Sequence, residues 1–91
     1  MATENIEIAK GDWEDIIAEG SLTLTNGNVY TINVQANGES QIAIADSKPA
    51  DGFVGHPTNA MVNFGFTFHT GDKIWVKLSE LAADTAIVVL T

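Results

Sequence analysis

Asp46, Lys48, Asp51 and His56 fall within eleven residues of one stretch, IADSKPADGFVGHPTNAM, that runs from Ile44 to Met61. Two carboxylates and an imidazole, with His69 further along, are hard oxygen and nitrogen donors of the kind that hold a divalent cation. Their spacing matches no ligand pattern, and Pro49, Gly52, Gly55 and Pro57 punctuate the stretch as an irregular crossover in which Asp and Asn cap turns. Ser47, His56 and Asp51 form the one compact combination for nucleophilic catalysis. Nothing around Ser47 resembles a strained strand-to-helix elbow backed by oxyanion donors. The carboxylates of Asp12, Glu14 and Asp15 suit glycosidic acid–base work in type, but that chemistry needs a deeper cleft than so small a domain builds, and a solvated turn beginning at Gly11 accounts for them. Gly27, Gly38 and Gly71 belong to turns with no helix after them, so none opens a phosphate-binding loop. The expectation is a chain with no catalytic residue, metal or cofactor.

The aromatic residues carry a different chemistry. Trp75 alternates with Ile74 and Val76 and stands between Lys73 and Lys77, half of the basic residues in the chain. A tryptophan so placed can stack on a sugar ring, anchor a protein interface, or belong to a strand buried on both faces. Trp13 carries the same three readings, and Tyr30 is a further candidate platform for a glycan. Phe53 and Val54 form an apolar pair in the middle of the polar stretch and need a surface to cover, either a neighbouring subunit or the end of the core.

The elements that must position these residues are strands. In NVYTINVQ, residues 28–35, Tyr30, Ile32 and Val34 alternate with Thr31, Asn33 and Gln35, the period of a half-buried strand. From Met61 to His69 the same alternation puts Val62, Phe64, Phe66 and Phe68 on one face. Gln41–Ala45, Lys73–Leu78, Ile6–Ala9, Trp13–Ala18, Ser21–Thr25 and Thr85–Leu90 complete about eight strands. Asn26-Gly27-Asn28, Asn37-Gly38 and Thr70-Gly71-Asp72 predict tight hairpins. LSELAAD, residues 78–84 with Ser79 as N-cap, predicts one helical turn. Short, evenly spaced strands indicate an all-β fold, a single antiparallel β-sandwich of jelly-roll type or a small barrel. The terminal strands IEIA and AIVVL would leave open edges unless they pair with each other or with another chain.

Ninety-one residues make one domain, residues 1–91, with the acidic segment 1–19 at its periphery. Twelve acids against four bases give a formal charge of −8, a field that repels nucleic acid and anionic membrane surfaces. The absence of cysteine excludes a disulfide framework and thiol chemistry. No secretory leader or spanning run is evident, so a chain made and kept in the bacterial cytoplasm is the default expectation.

The run LTNGNVYTINVQANGESQIAIADSKPADGFVGHPT, followed by FTFHTGDKIWVKL and a final apolar strand, resembles small β-sandwich structural proteins of tailed bacteriophages and prophages. The shared features are Tyr30–Val34, the Ile42–Asp46 strand followed by Pro49, and the Gly71–Lys77 strand. The resemblance spans roughly residues 22–91. It implies a non-enzymatic virion component, such as a capsid decoration, head-fibre or tail-associated protein. It also implies a homo-oligomer, a trimer in first instance, docked on other virion proteins and located in the virion. A carbohydrate-binding module that stacks glycans on exposed Trp and Tyr rings is the alternative expectation.

Overall fold

The computed structural model describes residues 3–91 and contains eight strands and one helical turn. The strands are β1 (Glu4–Ala9), β2 (Glu14–Asp15), β3 (Val29–Gln35), β4 (Ser40–Ala45), β5 (His56–Thr58), β6 (Phe64–Thr67), β7 (Lys73–Lys77) and β8 (Thr85–Leu90), with α1 (Ile16–Glu19) between β2 and β3. They form two four-stranded antiparallel sheets, ordered β1-β8-β3-β6 and β2-β7-β4-β5. The pairing is nested: β1 with β8, β2 with β7, β3 with β6 and β4 with β5. Such a chain is one long two-stranded ribbon, rolled up so that β3 meets β8 and β4 meets β7. This is the jelly-roll form of the sandwich, and the barrel alternative does not arise because each sheet keeps two free edges.

Period-two alternation packs the two sheets together. Ile6 and Ile8 of β1, Tyr30, Ile32 and Val34 of β3, and Val88 and Leu90 of β8 point inward against Ile42 of β4 and Ile74 and Val76 of β7. The opposite set makes the outer face of the first sheet: Val29, Thr31, Asn33 and Gln35 of β3, Thr85, Ile87 and Val89 of β8, and Gly65 and Thr67 of β6. The terminal strands pair with each other, so β8 is an inner strand and β1 an edge strand marked by Glu4 and Glu7.

Several expectations are corrected. The turns at Asn37-Gly38 and Thr70-Gly71-Asp72 reach positive φ at glycine, but each carries the chain from one sheet to the other, so neither is a hairpin; Asn26-Gly27-Asn28 likewise leads into β3 from the other sheet. The helical turn lies at Ile16–Glu19. There Asp15 is the N-cap, its carboxylate accepting from Ile17 N at 3.0 Å and Ala18 N at 3.4 Å, and Ile16 is fully buried. Ser79 caps only a turn, accepting from Leu81 N at 3.0 Å. Ser21–Thr25 packs Leu22 and Leu24 on the core without joining a ladder. The phenylalanine strand starts only at Phe64, because Asn59 closes a turn by accepting from Met61 N at 2.8 Å, which throws Met61 out to 92 % exposure.

The stretch Ile44–Met61 is not the crossover between sheets. It contains β5, which pairs with β4 in the same sheet, so residues 46–55 are the tip of the ribbon and residues 59–63 make the crossing.

Candidate functional site

The ribbon tip folds back over the outer face of the second sheet. The face itself is built by register: β7 places Trp75 opposite Ala43 of β4 and Asp15 of β2, and Trp13 just before β2 completes a small apolar cluster with Ala45 at its edge. The alternation that sends Ile74 and Val76 into the main core sends Trp75 out of it to pack with Trp13 and Ala43, and the tip in turn covers Trp13. Trp75 is 9 % exposed and Trp13 3 %. Such a satellite cluster beneath a long loop is buried apolar surface separate from the domain core.

Three contacts seat the tip. The Phe53 ring lies with its centroid 6.2 Å from that of Trp13, tilted by 55°. Gly55 N donates to Gln41 Oε1 at 2.9 Å, and Gly55 itself sits so close that a Cβ there would meet Ile42 O at 2.7 Å and Trp13 Cη2 at 2.8 Å. Lys48 Nζ donates to Asp12 Oδ2 in an exposed ion pair. That hydrogen bond, with a second from Trp13 N at 2.7 Å, holds the Asp12 carboxyl below its ordinary value, and Asp12 in turn raises Lys48. Glu14 moves the other way, pushed up first by burial and then by the neighbouring Glu19 carboxylate.

Between the tip and β4 runs a groove of ≈ 330 Å³. One wall is the run Ile42–Ala45, which extends past the end of β5; the other includes Lys48, Pro49, Phe53 and Val54. The Trp75 indole donates to Ala45 O at 3.3 Å, whereas the buried Trp13 Nε1 has no partner. The groove is thus a largely apolar trough with Ser47, Lys48 and His56 as its polar side chains. Val54 stands 77 % exposed beside it.

Comparison with protein-family models, with curated proteins and with solved structures gives no match.

The structure brings together three of the five residues singled out in the sequence, Trp13, Trp75 and Phe53, with Val54 alongside. Tyr30 is elsewhere. It lies in the main core at 3 % exposure, its ring near Phe66 and Phe68, its hydroxyl accepting from Thr25 N at 2.8 Å. With Trp13, Trp75 and Tyr30 all buried, none of these rings offers a face for a sugar, and of the three readings of Trp75 the burial of both strand faces is the one realised. Phe53 covers the satellite cluster rather than the end of the main core. Ser47 and His56 both border the groove, but among the described residues no hydrogen bond joins Ser47, His56 and Asp51; the His56 ring instead packs on Phe64 at 4.7 Å. Asp15 is spent on α1 and Asp12 on Lys48, so the early carboxylates hold backbone and tip in place.

Gln41, Ala43 and Gly55 seat the tip without having stood out in the sequence. The signal for Ala43 and Gln41 was present, since both occupy outward positions of an alternating strand where a small residue and an amide can face a covering loop. Gly55 read only as punctuation.

A second apolar site lies at the far end of the sandwich. Lys10 Nζ donates to Ala82 O at 3.0 Å, and Gly38 packs against Ser79 and Leu81, bringing the 10–13, 36–39 and 78–84 connections together. Asn33 Nδ2 holds the 59–63 crossing by donating to Ala60 O at 3.1 Å and Asn63 Oδ1 at 3.0 Å. Met61, Val62 and Leu81 are exposed there.

Proposed function

We propose that this chain is a non-enzymatic structural component of a tailed-phage or prophage virion, acting by docking on a larger shell or tail and by association with its own kind. The observation that carries the reading is the distribution of exposed apolar side chains. A chain of formal charge −8 leaves Val29, Phe53, Val54, Met61, Val62 and Leu81 exposed, all but Val29 on connections rather than strands. Exposed apolar clusters on a small acidic domain serve contacts with other macromolecules. The resemblance of residues 22–91 to phage sandwich proteins supplies the kind of assembly, and the jelly roll is an architecture that viral shells use among other functions.

The test is direct. Particles induced from the strain that carries the gene, purified and analysed by quantitative mass spectrometry, are expected to contain the chain in many copies each. Purified particles from that strain in which the chain is absent contradict the reading.

A further inference from the structure

The first sheet has an outer face that the rest of the surface does not resemble. Every residue that β3, β6 and β8 turn outward is Thr, Val, Ile, Asn, Gln or Gly. None of the twelve acids and none of the four lysines is among them; Glu7 stands only at the margin, on β1. Val29, at the end of β3 opposite Thr67, is 71 % exposed, and beside β3 a shallow depression of ≈ 320 Å³ lies between Val89, Asn33 and Thr31. An edge-to-edge contact through β1 would bring Glu4 and Glu7 of two copies together, whereas the part of this face built by β3, β6 and β8 can approach its own copy with no like charge in the way.

We infer that this face is a two-fold interface between two copies of the chain, sheet stacked on sheet. A two-fold contact pairs one patch with itself, so the patch must be complementary to itself. Hydroxyl and amide side chains satisfy that condition because each both donates and accepts, and β-branched residues give a surface that packs on another pleated sheet. A patch of one charge sign could not do so. The inference rests on the assembly reading above and names the surface for its self-association. The three uncharged strands, about 4.8 Å apart and about six residues long at ~3.3 Å each, cover on the order of 300 Å² per copy. That is well under half of the ≈ 800 Å² each partner contributes to a standard interface, so the dimer is weak.

Sedimentation velocity on the purified full chain, from about 10 µM to 1 mM, tests this. The wild type is expected to shift from monomer to dimer across that range. Added salt tightens the dimer, since it screens two bodies of charge −8 and breaks no ion pair. Val29→Glu and Thr67→Glu, both at exposed positions, each weaken association by about tenfold or more with the circular dichroism unchanged. Phe53→Ser, on the other sheet, leaves it as in the wild type. A strict monomer at the highest concentration, a dimer loosened by salt, or a dimer indifferent to both glutamates overturns the inference. A monomer removes the self-association from the reading above but leaves docking on a shell or tail, which needs no pairing, while absence from purified particles falls on the docking alone.

Discussion

Gly55 shows how a single residue can fix the ribbon tip. Its backbone conformation is open to any residue, so its role lies in close approach: a Cβ would strike the Ile42 carbonyl, which belongs to a paired strand and cannot move aside. Gly55→Ala is therefore expected to cost about 1–3 kcal/mol in denaturant unfolding and to raise acrylamide quenching of tryptophan fluorescence. Gly20→Ala meets only the side chains of Ile6 and Leu22, which can shift, and is expected to cost less. Asp12 and Glu14 make opposite contributions to the pH dependence. Asp12, lowered in the folded state, stabilises the fold above the ordinary aspartate range, and this is lost as pH falls through its folded value. Glu14, raised in the folded state, removes stability as pH rises through the carboxylate range. Thermal melts should thus show Glu14→Gln more stable than wild type at neutral pH, with the difference closing in acid, and Asp12→Asn less stable at neutral pH, also converging in acid.

Among the elements, the β4–β5 pair holds an imperfect contact. Ser40 and Thr58 are opposite each other and buried, yet neither hydroxyl has a hydrogen-bond partner. Replacing both by apolar groups removes two unsatisfied donors, so Ser40→Ala with Thr58→Val is expected to be neutral or to stabilise by about 1–2 kcal/mol by chemical denaturation. The long strands were legible in the sequence because alternation over five or more residues has only one physical solution when one face is buried; β3, β4, β7 and β8 follow it within a residue or two. Short elements were not. The three residues of β5 include Pro57 and carry no alternation to read, and they exist because β4 offers a ladder beside them. Met61 and Val62 alternate like a strand, but the Asn59 turn takes them first. The same logic applies to the site. The alternation of Trp75 with Ile74 and Val76 left its burial open among three readings, because the Trp13 ring that packs beside it comes from the far end of the sequence, a contact that no local pattern encodes.

At the scale of the whole molecule, the nested pairing converts one hairpin into two sheets and puts the open tip of that hairpin on one face. On the opposite face the outward residues of β3, β6 and β8 are uncharged, and the far end presents Met61, Val62 and Leu81. Under the proposed function this division supplies separate places for a copy of the chain and for a larger assembly, within extents of 33 × 27 × 21 Å. The measurement that bears most directly on that account is electron cryomicroscopy of particles produced with and without the gene. The account predicts a two-sheet density of these dimensions, repeated over the shell or tail of the first set and missing from the second. Particles that are identical in the two maps would contradict it.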